Sequence, residues 1–102
     1  KKLQEKTLIL SEKAKNFDIQ DGKYKINKEI FKLYWYLKAI YEFCEYITPE
    51  TLENILKNSK EVKDYTIREK TAKILTKLSK NQNLQSIEHE LRNDENYYVR
   101  RF

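Results

Sequence analysis

Glycine, proline and cysteine occur once each in this sequence of 102 residues, and methionine does not occur at all. A single glycine excludes a glycine-rich phosphate-binding loop. The scarcity of glycine and proline also argues against a turn-rich β architecture and favours long helices. The one cysteine, Cys44, cannot form an internal disulfide, and its apolar neighbours predict a buried side chain rather than a reactive thiol.

Histidine is equally scarce, which limits the chemistry that the chain can perform. His89 is the single histidine and has no cysteine at the spacing of zinc ligands, so we expect a solvated helix residue and no metal site. No serine, threonine or cysteine lies in a recognisable nucleophile motif. Carboxylate pairs such as Glu42 and Glu45 are predicted to lie on exposed helix faces, which suit an acid–base dyad poorly. The sequence therefore predicts neither an enzyme nor a cofactor.

Long hydrophobic runs are missing as well. The longest, residues 33–37, is far short of the roughly 20 residues that span a bilayer, so we expect no membrane partner. No secretory signal pattern is present, and with the lone cysteine this favours a cytoplasmic protein. The missing initiator methionine and the helical pattern at the last residue suggest a piece of a longer repeat protein.

What the sequence does contain is helical periodicity. Residues 1–17 place apolar or small side chains along one helical stripe. Residues 17–26 alternate apolar and polar positions around Asp21-Gly22, which predicts either a small β-hairpin or an ordered loop. Asn27 is then the predicted N-cap of a helix over residues 28–47.

The helix over residues 28–47 is unusually apolar around its circumference. Because such a helix needs neighbours on several sides, we expect it to be the central element. Its aromatic stripe, with Phe31, Trp35 and Phe43, is interpreted as core in preference to a ligand cage.

Capping and helix-breaking residues in the second half of the sequence predict four more helices. Thr48-Pro49-Glu50 is a helix start, with a hydroxyl cap and a proline in the first turn, and this third helix frays near residue 60. A fourth helix is expected over residues 64–80, a fifth up to about residue 91, and a last one after residues 94–96.

An internal repeat joins these helices at a constant offset of 32 residues. A pair of antiparallel helices with a polar capping turn would recur, and such a unit buries its apolar faces only by stacking on a neighbour. The matched pairs are Leu52 with Leu84, Ile55 with Ile87, Asp64 with Asn96, Tyr65 with Tyr97, Ile67 with Val99, and Arg68 with Arg100.

Residues 64–75, Asp-Tyr-Thr-Ile-Arg-Glu-Lys-Thr-Ala-Lys-Ile-Leu, resemble the second half of a HEAT repeat, and residues 93–102 are similar to the same part of the next repeat. This resemblance to the HEAT-like α-solenoid family covers roughly residues 49–102. It implies an all-α fold of stacked antiparallel helical hairpins that mostly serves protein binding. It also implies structural roles at the repeat positions Asp64, Ile67, Arg68, Val99 and Arg100, with the Asp and Arg positions helping to tie successive turns together.

The first half departs from the repeat, because Trp35-Tyr36 falls where Ile-Arg is expected. We therefore expect a single helical domain over residues 1–102 in three parts. These are a divergent N-terminal cap at 1–47, a HEAT-like repeat at 48–80, and the start of a second, truncated repeat at 81–102.

The fourth helix also carries a lysine strip on one flank, outside the apolar face. A solvated face is one interpretation, and a groove for phosphate or acidic partners is the other. Aromatic residues are not interleaved with the strip in the sequence, which argues against single-strand stacking. The candidate polyanion-binding residues are Lys70, Lys73, Lys77, Lys80, Arg92 and Arg101, with Arg100 as a further extension.

The preferred functional hypothesis is a non-enzymatic scaffold whose partner is another protein, with Tyr97 and Tyr98 as candidate contact residues. The alternative hypothesis is a nucleic-acid-binding module that grips the phosphate backbone through the lysine strip. A helical adaptor unrelated to the HEAT family is the third.

Overall fold

A computed structural model describes residues 2–17, 24–78 and 84–102. The chain is all-helical over these ranges, as predicted, and a short 3-10 turn at Cys44–Tyr46 follows the second helix. The helices are α1 (Lys2–Ala14), α2 (Tyr24–Phe43), α3 (Pro49–Ser59), α4 (Tyr65–Lys77), α5 (Gln85–Arg92) and α6 (Tyr97–Arg100).

The predicted β-hairpin is wrong where the structure describes it. Helix α2 already begins at Tyr24, so residues 24–26 are helical rather than extended. Asn27 consequently lies inside the helix and is not its cap. An isolated two-stranded hairpin is only marginally stable in water, since two strands alone bury little apolar surface. The run that follows has no helix breaker and favours a longer helix. The remaining residues of this prediction, 18–23, lie outside the described residues.

The starts of α3 and α4 follow the local sequence, although one predicted cap is missing. The Asp64 carboxylate accepts a hydrogen bond of 2.9 Å from the backbone N–H of Thr66 and so caps α4. Pro49 occupies the first turn of α3, where its missing N–H costs nothing. The predicted hydroxyl cap from Thr48 does not form, because its side chain makes no capping hydrogen bond.

Three pairs of helices that are next but one in the chain pack side by side. Helices α1 and α3 pack together, and so do α2 with α4 and α4 with α6. Helices α2 and α4 run parallel, since Lys70 lies over Tyr34 and Lys77, seven residues further on, lies over Tyr41. Lys13 near the end of α1 forms an ion pair with Glu29 near the start of α2, as antiparallel neighbours do. The Cα extents of 38 × 32 × 18 Å agree with a body two helices deep.

An aliphatic core fills the space between the helices. Helix α4 is the central element, because it contacts α2, α3, α5 and α6, so the prediction that assigned this position to α2 is wrong. Cys44 is buried, as predicted. The largest fully buried side chains include Leu33, Leu37, Ile40, Ile55, Leu56, Ile67, Ile74, Ile87, Leu91 and Val99.

The aromatic stripe of α2 is not core. Phe31, Trp35 and Phe43 are exposed, while the aliphatic Leu33 and Leu37 on the same helix are fully buried. Of the other described helices, α1 and α4 pack most closely on α2, and they leave the side that carries Phe31 and Trp35 uncovered. A highly apolar helix therefore presents aromatic rings at the surface.

Candidate functional site

Arg68 connects the turn before α4 to the turn before α6. Its Nη1 donates to the carbonyl oxygens of Val62, at 2.9 Å, and Lys63, at 2.7 Å. Its Nε and Nη2 donate to the two carboxylate oxygens of Asp94, at 2.7 and 3.1 Å. This two-pronged geometry is the strong form of an arginine–carboxylate pair. One side chain thus closes its own turn and reaches the next.

Burial and hydrogen bonding set the ionisation of Asp94. The side chains of Arg68 and Asp94 are only 12% and 11% exposed. Partial burial disfavours the charged carboxylate, but hydrogen bonds from Arg68 and from the Asn96 amide, with the charges of Arg68 and Arg100, outweigh it. The pKa of the Asp94 carboxyl is therefore lowered below its usual value. The pair is ionised at neutral pH and held in one geometry.

The turns before α4 and α6 are built alike at the repeat offset. Asn96 caps α6 by accepting from the N–H of Tyr98 at 2.8 Å, as Asp64 caps α4. Arg100 donates from Nη1 to the carbonyl of Asp94 at 2.7 Å, as Arg68 does to that of Val62. Ile67 and Val99 occupy matching positions, and both are fully buried.

Lys60 makes a second connection, between α3 and α5. Its ammonium group donates to Glu61 and, at 3.1 Å, to Glu90 near the end of α5. Partial burial disfavours the charged form, yet the hydrogen bonds to Glu61 and Glu90 and their negative charges together raise the pKa of Lys60. The C-terminal ends of α3 and α5 are thereby joined through one lysine.

The lysine strip of α4 divides between two neighbours. Lys70 lies over the Tyr34 ring at 5.1 Å and Lys77 lies over the Tyr41 ring at 4.1 Å, so both face α2. Lys77 also donates to the Tyr41 carbonyl at 2.8 Å. Lys73 is exposed and lines a hollow toward α6. Lys80 lies outside the described residues.

Aromatic rings do lie among the lysines, which corrects the sequence argument that none is interleaved. The sequence signal was hidden because Tyr34 and Tyr41 come from α2, some 36 residues before the lysines that they contact. Parallel packing of α2 on α4 creates this mixture, and no pattern within α4 alone predicts it.

The candidate arginines do not extend the strip as one groove. Arg101 lies 5.0 Å over the Tyr98 ring and 3.5 Å from Glu69, near Lys73 in the hollow between α4 and α6. Arg92 instead pairs with Glu88 at 3.1 Å and stacks on Phe102. The structure brings Arg101 to Lys73 and leaves Arg92 apart.

Tyr97 and Tyr98 form an exposed cluster with a third tyrosine. Their side chains are 62% and 50% exposed, and their rings meet edge to face at 5.6 Å. The Tyr65 ring lies 6.0 Å from that of Tyr98. Tyr65 and Tyr97 lie 32 residues apart as the first residues of α4 and α6, so both helix starts contribute to this tyrosine cluster.

A second aromatic surface lies on α2 and was missed by the sequence interpretation. Phe31 and Trp35 are 63% and 48% exposed and meet edge to face at 6.0 Å. Lys38 lies 4.7 Å over the Trp35 ring. The signal was present, since Phe31, Trp35 and Lys38 share one helical ridge, and a lysine there marks the solvent side.

The described residues hold no group of histidine, cysteine and carboxylate side chains that could bind a metal ion. His89 is exposed, as predicted. Among the described helices, none has the length and apolar character that crossing a membrane requires.

No protein-family model, no curated protein and no solved structure matches this chain.

Proposed function

We propose that this chain is a non-enzymatic interaction scaffold, a segment of a HEAT-like α-solenoid that binds another protein in the cytoplasm. Two units, at residues 48–80 and 81–102, would stack on a divergent cap at 1–47. Support comes from the side-by-side packing of α1 with α3, α2 with α4 and α4 with α6. The turns before α4 and α6, built alike 32 residues apart and joined by Arg68 and Asp94, support the same arrangement.

The exposed tyrosine cluster carries the proposal of protein binding. Tyr97 and Tyr98 leave large ring areas in solvent although the aliphatic core beneath them, including Val99, is fully buried. The core is therefore complete without these two rings, and their exposure leaves them available to a partner. Tyrosine supplies much contact area at a small cost in conformational entropy, which is why it is enriched among residues that dominate interfaces.

The test is affinity capture from nuclease-treated extract with matched tyrosine variants. The wild-type chain and a Tyr46→Ser control, altered at another exposed ring, should retain a stoichiometric protein partner. A Tyr97→Ser/Tyr98→Ser variant with an unchanged thermal transition should lose it. Capture that is equal for all three chains, or no partner protein at all, would contradict the proposal.

A second candidate function, nucleic-acid binding, is favoured by one observation. Lys70, Lys73 and Lys77 are in no ion pair with a described carboxylate, so their charges are available to phosphates. Fluorescence anisotropy with duplex DNA and single-stranded RNA tests it. Phosphate binding should weaken steeply between about 50 and 200 mM salt and disappear when the three lysines become glutamate.

A further inference from the structure

Helices α2 and α4 share one continuous surface, called here the α2–α4 face. It consists of Phe31, Tyr34, Trp35, Lys38 and Tyr41 of α2 with Lys70 and Lys77 of α4. Continuity follows from the contacts, because the Trp35 ring meets Tyr34 at 5.8 Å and Tyr34 lies under the Lys70 ammonium group. The outer ridge is apolar at Phe31 and Trp35, which no described element covers. Large exposed rings rimmed by charge are typical of interaction surfaces.

The charges on this face are positive and are held by rings rather than by carboxylates. Lys38, Lys70 and Lys77 lie over Trp35, Tyr34 and Tyr41 at 4.7, 5.1 and 4.1 Å. None of the three forms an ion pair with a carboxylate of the described residues. A cation above a ring keeps its full charge and is placed beside apolar area.

Few acidic side chains oppose these lysines. Glu42, at the end of the ridge, and Glu45, in the turn that follows α2, are exposed, and Glu69 of α4 is turned to the other flank, where it lies near Arg101. The face is thus an alternation of positive charge and ring surface. Its complement is a partner that alternates carboxylates with apolar side chains.

The ring geometry disfavours stacked nucleotides as that partner. Base stacking on single strands needs open ring faces, but cations lie over the faces of Trp35, Tyr34 and Tyr41. The remaining ring contacts are edge to face, at interplanar angles of 77° and 85°. A phosphate backbone would also place charged phosphate groups beside the Phe31 and Trp35 rings and would not bury them against apolar surface.

We propose that the α2–α4 face binds an acidic amphipathic protein segment, whose carboxylates pair with Lys38, Lys70 and Lys77 and whose apolar side chains cover Phe31 and Trp35. This inference rests on the proposed scaffold function and names the chemistry of the partner. Helix-in-groove recognition of this type uses anchors at i, i+3, i+4 and i+7 spacing. Anchors at this spacing on the partner would bring its apolar side chains onto one face, against Phe31 and Trp35.

The chain carries its own reporter for the test. Trp35 is the single tryptophan, so its emission reports cover of this face alone. The probes are a fluorescein-labelled 20-residue amphipathic peptide with glutamate on one face and leucine and phenylalanine on the other, a polyglutamate peptide of equal charge, and a 20-nucleotide oligothymidine strand. Each is titrated into the full chain by anisotropy, with Trp35 emission recorded in the unlabelled peptide series.

Two charge-reversal variants are matched for net charge. Lys70→Glu/Lys77→Glu changes the face, whereas Lys6→Glu/Lys57→Glu changes exposed lysines of α1 and α3. We expect the amphipathic peptide to bind with a blue shift of Trp35 emission. Its affinity should be at least about tenfold weaker for the face variant and unchanged for the control. Phe31→Ser should weaken it as well, with an unchanged thermal transition.

Other outcomes would overturn the inference in distinguishable ways. Binding to polyglutamate as tight as to the amphipathic peptide would mean that charge alone acts. Tighter binding of oligothymidine, or no binding of the acidic peptide, would also contradict an acidic amphipathic partner. A protein captured through Tyr97 and Tyr98 that still binds Lys70→Glu/Lys77→Glu would leave the scaffold function standing and overturn this inference alone.

Discussion

The turns before α4 and α6 have the same internal construction but different surroundings. In both, an Asp or Asn caps the helix, an arginine donates to the carbonyl six residues earlier, and a β-branched residue is fully buried. Arg68 also holds the Asp94 carboxylate of the following turn. Arg100, the matching residue, is exposed and has no such partner among the described residues.

This difference shows what stacking contributes beyond local structure. Caps and turn hydrogen bonds follow from a few neighbouring residues, whereas the Arg68–Asp94 pair exists only when the turn before α4 packs against the turn before α6. Changes to the first turn should therefore lower the free energy of unfolding more than matching changes to the second.

Replacing Ile67 by Asp should have the largest effect. The side chain is fully buried in the central helix α4, so the carboxylate would be desolvated without a partner and cost more than about 4 kcal/mol. Loss of the cooperative transition in circular dichroism is expected. Val99→Asp should cost less, since α6 is a four-residue helix that can separate locally. Equal loss for both variants would contradict the comparison.

Replacing Arg68 by Met should destabilise the chain by about 2–4 kcal/mol in urea unfolding. The methionine keeps the apolar stem but leaves Asp94 partly buried without its countercharge. Arg100→Met should cost about 1 kcal/mol or less, because it removes an exposed hydrogen bond to a carbonyl. An Arg100→Met loss as large as that of Arg68→Met would mean that the two turns are equivalent.

Acid should weaken the Arg68–Asp94 connection in a definite pH window. Because the folded-state pKa of Asp94 is lowered, its stabilisation is fully present above the unfolded-state value, near 3.8. The contribution is lost as pH falls through the lower folded-state pKa. The stability difference between wild type and Asp94→Asn should therefore shrink below about pH 4. A difference that stays constant down to about pH 2 would contradict this assignment.

Ser59→Ala should have the smallest effect, within about 0.5 kcal/mol of wild type in urea unfolding. The Ser59 hydroxyl is buried without a hydrogen-bond partner among the described residues, so its removal leaves nothing unsatisfied. Its repeat counterpart, Leu91, fills the same position with an apolar side chain. A destabilisation above about 1.5 kcal/mol would mean that the hydroxyl is bonded in solution.

Much of the helical layout could be predicted because its signals are local. Pro49 and Asp64 mark helix starts through their own backbone chemistry, and the buried positions Ile67 and Val99 follow from periodicity. The wrong strand prediction at residues 24–26 also comes from reliance on local signals. Alternation and an Asp-Gly pair favoured a strand locally, while the length and packing of α2 favoured a helix.

The candidate surfaces were less predictable, since they depend on contacts between distant residues. Periodicity identified α2 as apolar but could not tell which of its apolar residues have neighbours, so Trp35 was assigned to the core. Likewise, the lysines of α4 were visible in the sequence, whereas the rings of Tyr34 and Tyr41 beneath them were not. Asp94 as the partner of Arg68 also required the packing of one turn on the next.

A double-mutant cycle between Arg68 and Asp94 tests most directly whether the two turns are joined as described. Urea unfolding of wild type, Arg68→Met, Asp94→Asn and the double variant yields the coupling free energy of the pair. The two-pronged, largely buried geometry predicts a coupling of at least about 1.5 kcal/mol. A coupling below about 0.3 kcal/mol, with the two single effects simply adding, would show that the side chains do not interact and would contradict the account.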